Sequence, residues 1–160
     1  MEAERLIATG RHALAESRVA LDIVAEAWQA QTLAQAIGSH LALCGPMELR
    51  SEARGLSEIG GGRGAVGPPR AAQLTTLGDV RAALTALGAL LGEVGIALVG
   101  VACATDEEGL YWQCIEAIDA ADEAGDRVRA MLRRLAIRER ERERDRPPDP
   151  ARGRAGPGPR

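Results

Sequence analysis

The chain contains no Lys, no Phe and no Asn, and its only aromatic residues are Trp28, Tyr111 and Trp112. Without rings, a core must be built from Leu, Ile, Val and Ala, and small side chains fill space only where backbones come close. That excludes most β architectures, whose strands want β-branched and aromatic side chains, and favours packed helices. Ala occupies 30 of the 160 positions and, with Leu, is a strong helix former. Cysteine is also scarce. Cys44, Cys103 and Cys114 show neither CxxC spacing nor the density of a secreted disulfide scaffold, so a reducing cytoplasm is expected. Glu2 and Glu4 stand where a cleaved signal peptide would be basic, and none is expected. What is plentiful is Arg, Ala and Gly, all with GC-rich codons, a bias that reports the genome before it reports function.

Charge is unevenly placed. Residues 1–126 carry 8 Arg against 18 Asp and Glu, a balance of −10, whereas residues 127–160 carry 12 Arg against 5 acids, or +7. An acidic body with a basic tail can attract nucleic acid, an acidic partner or its own body.

Apolar residues recur with a helical period between Gly and Pro breakers, which predicts five helices. The first covers about 2–17, with Ala3, Ile7, Gly10 and Leu14 in line. The second, about 20–44, aligns Ile23, Ala27, Ala30, Ala34, Ile37, Leu41 and Cys44. Gly45 is expected to end it in a left-handed conformation and Pro46 to open a short third helix, about 46–59, with Leu49, Ala53 and Leu56 inward. GGGRGAVGPPR at 60–70 is a flexible loop. Its Gly62, Gly64 and Gly67 satisfy GxGxxG, but a phosphate cradle needs a strand before and a helix directly after, and neither is present.

The fourth helix, about 76–104, steps through Leu77, Val80, Leu84, Leu87, Leu91, Val94, Leu98 and Val101 as a heptad seam. The fifth, about 106–145 and capped by Asp106, repeats it with Tyr111, Cys114, Ile118, Ala121, Gly125, Val128, Leu132 and Leu135. Two matched seams joined by a short turn imply an antiparallel hairpin. The back of the fourth helix, with Ala82, Ala86, Ala89, Gly92, Ile96 and Val99, is expected to lie under another helix. The fold class is therefore all-α: an up-down bundle of five helices, with residues 1–137 as the domain and 138–160 as a charged, Arg-, Pro- and Gly-rich tail, disordered at its end.

No motif dictates chemistry. Ala82–Cys103 has the length and apolarity of a membrane span, but it is rich in Ala and Gly and holds Glu93, so we expect a buried bundle helix and no membrane. Glu93 is expected to be partly exposed. The acidic band of Glu116, Asp119, Asp122, Glu123 and Asp126 fits a solvated helix face. In an up-down bundle the ends of the second and fourth helices and the start of the fifth meet at one pole, where His40, Cys44, Cys103 and Cys114 would make a Cys3His set. Since Cys44 and Cys114 occupy seam positions, where Cys acts as a small hydrophobe, we expect no metal and no cofactor. A polar pocket, if the bundle holds one, would draw on Tyr111, Trp112, Gln113, Glu116 and His40.

The stretches AERLIATGRHALAESR, IVAEAWQAQTLAQAIGSHLAL, GEVGIALVGVACATDEEGLYWQCIEAIDAADE and RVRAMLRRL resemble a family of small helical proteins from high-GC actinobacteria, a domain of unknown function. The resemblance covers about residues 2–135 and implies a bacterial cytoplasmic context, with no catalytic residues to carry over. The expectation is a non-catalytic interaction or regulatory module with an unknown protein partner or a second copy of itself as a homodimer. The alternatives are a small-molecule-binding or enzymatic bundle with a pocket near Trp112, and weak nucleic-acid association through the tail.

The tail yields a direct test. Binding to DNA or RNA is expected to be weak and indifferent to sequence at low salt, and absent near physiological ionic strength, where screening confines charge effects to about 8 Å. Cutting the chain after Ile137 removes it. Fluorescence anisotropy against salt concentration checks this, and a complex that persists at physiological salt contradicts it.

Overall fold

The computed structural model describes residues 1–60 and 68–149. The GxGxxG glycines and the end of the tail lie outside the described residues. Five α-helices form among the described residues, α1 (Ala3–Glu16), α2 (Ala20–Cys44), α3 (Arg50–Glu58), α4 (Val80–Ala104) and α5 (Glu108–Arg144). Among the described residues there is no strand, only an isolated parallel bridge between Glu2 and Thr76.

The core is aliphatic, as the lack of rings requires. Leu6, Ile7, Ile37, Leu41, Leu49, Leu56, Leu84, Leu87, Leu90, Leu98 and Met131 are fully buried, and Trp28 is the one aromatic ring that joins them. On α5 the buried line runs Cys114, Ala117, Ala121, Ala124, Val128, Met131, so the seam turns toward Ala117 and Ala124 and leaves Tyr111 exposed. These small residues let α5 lie close on α4: a Cβ placed on Gly88 would already touch Val128 at 3.5 Å. α4 packs against α1, α2 and α5 and is the central helix.

The connection between α3 and α4 departs from strict alternation. α3 runs back along α2, with the Gln35 amide donating to the Ile59 carbonyl. Then Gln29 takes over: its side-chain oxygen accepts from Arg70 N at 2.9 Å, and Arg70 forms an ion pair with Glu26. The chain makes a 3-10 turn at Arg70–Gln73 and pairs with the start of α1, Ala3 N donating to Thr76 O at 3.0 Å. α4 therefore begins beside the start of α1 and runs parallel to it, with Arg11 against Glu93 just past the middle of both helices. Gly78, at φ 67°, makes the last bend, a conformation that favours glycine. Asp79 then caps α4 by accepting from Ala82 N at 2.8 Å.

Several local expectations are corrected. The fourth helix begins at Val80, and Leu77 is buried from the linker instead of from the helix. Gly45 is extended, at φ −78°, because Pro46 follows and holds its predecessor out of helical and left-handed regions. Pro46 opens a 3-10 turn, Met47–Leu49, before α3. α5 starts at Glu108 without a side-chain cap. Asp106 does not cap it; Thr105 Oγ1 accepts from Glu107 N instead. The back of α4 is not covered: Ala89 and Gly92 are exposed, as are Ile96 (77%) and Val99 (49%).

α5 continues past the body to Arg144, held by Arg81 to Glu139 at 2.7 Å and Arg138 to Glu48 at 3.5 Å. Arg127 donates to Glu52 at 3.0 Å, and this hydrogen bond holds its guanidinium pKa above the ordinary value.

Two substitutions test the packing. A Cβ on Gly38 would meet Ala53 O at 2.8 Å and Ser57 N at 2.9 Å, backbone atoms that cannot step aside, so Gly38→Ala should lower stability by about 1–3 kcal/mol. Gln31 is 2% exposed and its amide has no hydrogen-bond partner among the described residues, so Gln31→Met should raise stability by about 1–2 kcal/mol. Urea melts followed by circular dichroism read both.

Candidate functional site

The direction of each helix decides which candidate residues can meet. α1 and α4 end at one pole, where α2 and α5 begin; α2 and α5 end at the other, beside the start of α4. His40 and Cys44, at the end of α2, are thus separated by the length of the bundle from Cys103 and Cys114. The single pole expected for the four does not exist, because the chain between α3 and α4 travels back before α4 starts. Among the described residues no three His, Cys, Asp or Glu side chains converge as metal ligands.

The same geometry divides the expected pocket. Tyr111, Trp112, Gln113 and Glu116 lie on the first turns of α5 and are exposed, while His40 is half-buried at the far pole. Tyr111 (40% exposed) and Trp112 (55%) meet edge to face, with ring centroids 5.3 Å apart. Glu116, Asp119, Asp122, Glu123 and Asp126 are all exposed. Glu93 is partly exposed and receives two hydrogen bonds from Arg11 Nε, at 3.0 Å each; this contact holds the Arg11 guanidinium pKa above its ordinary value.

Two surface features were not foreseen. The first is an open groove of about 780 Å³ between the start of α2 and the end of α4, lined by Val19, Leu21, Ala97, Gly100, Ala104 and Leu110, with Arg18, Thr105, Asp106 and Glu107 at its rim. Leu21 is 65% exposed there. The second is the uncovered side of α4, on which Thr85, Ala89, Gly92, Ile96, Val99 and Cys103 form one exposed line at steps of three and four. Among the described residues α4 is the one helix long and apolar enough to cross a membrane, and a third of that window is buried in the bundle. The 3.6-residue period was visible in the sequence, but it marks a line on a helix and cannot tell whether a neighbour lies on it.

The family model for a family of unknown function, DUF6099, matches residues 1–134, and the chain belongs to that family. The match ends close to where the seam of α5 leaves the body. No curated protein and no solved structure matches the chain.

The thiols give a measurement of this arrangement. Cys44 and Cys103 are exposed, whereas Cys114 is buried and its burial pushes the thiol pKa up. Two thiols should react with a maleimide in the folded state and the third only on unfolding. A folded-state pKa above the unfolded value means that the Cys114 contribution is intact below the ordinary thiol range and is lost as pH rises through and above it. Mass spectrometry of labelled protein with and without urea checks the count.

Proposed function

We propose that the protein is a non-catalytic interaction module of the cytoplasm of a high-GC actinobacterium, and that its working surface is the uncovered side of α4, which takes an apolar helix of a protein partner. The observation that carries this is the exposure of Ile96 and Val99, with Ala89, Gly92 and Cys103, on a helix whose other sides are packed. Gly92 has nothing within 4 Å of where a Cβ would stand, so a partner backbone can approach closely. Contiguous exposed apolar surface of this kind marks interaction sites more often than scattered single residues do.

A second reading is favoured by the groove at the start of α2. Its volume lies within the range of small-molecule sites, roughly 300–1,000 Å³, and it combines apolar walls with a few polar groups at the rim. On this reading a ligand would sit beside Leu110 and away from the Tyr111, Trp112, Gln113, Glu116 and His40 set. Nucleic acid stays outside the proposal, because the −10 body opposes what the Arg-rich tail attracts.

The test uses the native cysteines. Cys103 stands on the α4 line and Cys44 at the far pole, both exposed. Brief N-ethylmaleimide treatment of intact producing cells should modify Cys103 several-fold more slowly than in dilute purified protein, with Cys44 unchanged. Equal reactivity of Cys103 in the two settings overturns the assignment of this surface.

A further inference from the structure

We propose that the occupant of the uncovered side of α4 is a second copy of the chain, in a two-fold dimer whose α4 helices pack antiparallel about a dyad that crosses the exposed line at the axial level of Val94, between Gly92 and Ile96. This rests on the interaction-module reading above and names its partner. The exposed line from Thr85 to Cys103 extends over ~27 Å at the α-helical rise. A dyad at Val94 sets Ile96 of one copy over Gly92 of the other, Val99 over Ala89, and Cys103 beside Thr85. Large meets small at the two inner steps, and the similar-sized Cys103 and Thr85 meet at the outer one, in both directions, as an isologous interface requires. Parallel packing would set Ile96 on Ile96 and leave Gly92 facing Gly92.

Charge selects the same orientation. Asp106, Glu107 and Glu108 are exposed just beyond the end of α4, and among the described residues none of them forms an ion pair; Arg18 is the one cation on the same groove rim. At the other pole, α5 carries the Arg-rich segment from Arg127 onward past the start of α4, fixed there by Arg81 on Glu139. Asp79, Glu48 and Glu52 temper that pole, yet the described residues 127–149 carry 9 Arg against 5 acids, a balance of +4. The molecule is therefore acidic at one end of α4 and basic at the other. Antiparallel copies bring unlike ends together, whereas parallel copies would stack three acids on three acids.

At the middle of the line, the Arg11–Glu93 ion pair is neutral and brings no net charge to the dyad. It also argues against an anionic lipid surface as the occupant: the stripe offers no unpaired cation to hold lipid headgroups, and the body as a whole is acidic.

Sedimentation equilibrium of the full chain should give twice the 16.8 kDa chain mass. Ile96→Arg should weaken self-association by about 30-fold or more, the effect of removing a central hot spot, with the helical melt unchanged. Orientation is read independently. With Cys44→Ser in place, Thr85→Cys should yield a covalent dimer on mild oxidation, linked from position 85 to Cys103, and no covalent dimer should form without Thr85→Cys. A Cys103–Cys103 dimer in the chain with native Thr85 would overturn the antiparallel geometry. A single-chain mass at every concentration overturns the dimer. If Cys103 is nonetheless protected in cells, the interaction module stands with a different protein as partner; if it is unprotected, both fall. Co-sedimentation with phosphatidylglycerol vesicles that alone protects Cys103 overturns the dimer in favour of a lipid surface.

Discussion

The close approach of α5 to α4 is the contact on which the rest of the molecule depends. A core without Phe, and with a single buried Trp, gains its dispersion energy from many aliphatic contacts, and these weaken as soon as a gap opens. Ala117, Ala121 and Ala124 on one side and Gly88 on the other remove the side chains that would hold the two helices apart. With α5 seated, the leucines of α4 that point elsewhere, such as Leu90 beside Gly10, are left to α1 and α2. Three neighbours surround most of α4 but not all of it. A helix that is apolar on every side and has three partners must leave one side bare, so the exposed line from Thr85 to Cys103 is a consequence of how the core was built.

The helices themselves were legible because each obeys a local rule. The span of α2 matches its 3.6-residue pattern to the residue, and the spacing of Leu49, Ala53 and Leu56 identified the inner side of α3 and of the 3-10 turn that leads into it, all three being fully buried. The boundaries that failed did so where a tertiary contact overrode local preference. Leu77 fits the α4 period, yet Thr76 is drawn into a bridge with Glu2 and Gly78 takes a positive φ, so the helix cannot start before Asp79. Nothing in the local sequence encodes that Glu2 will be there.

The arrangement of the candidate site was less legible for the same reason at larger scale. Alternation of helix direction follows when connections are short, and the α4–α5 turn obeys it. Between Glu58 and Val80 there are enough residues for another course: Arg70 is held beside Gln29 and Glu26 on α2, and from there the chain runs back to the pole where α4 begins. Placing His40 and Cys44 with Cys103 and Cys114 depended on the shorter alternative. The residues were correctly identified as helical, and the pole was decided by three polar side chains that carry no periodic signal.

Whether the bare side of α4 means anything beyond geometry turns on what occupies it. The fold needs no particular side chain at positions 96 and 99, since neither contributes to the core, and a polar residue would satisfy the helix equally well. Genome composition accounts for Ala89 and Gly92, whose codons are GC-rich, and for Val99 nearly as well. It does not account for Ile96, whose codons begin with two A or T bases and which is the most exposed apolar side chain on the line. A large β-branched residue set in solvent between glycine and alanine positions, against both the compositional bias and the demands of packing, is what a protruding contact over a partner's glycine would require.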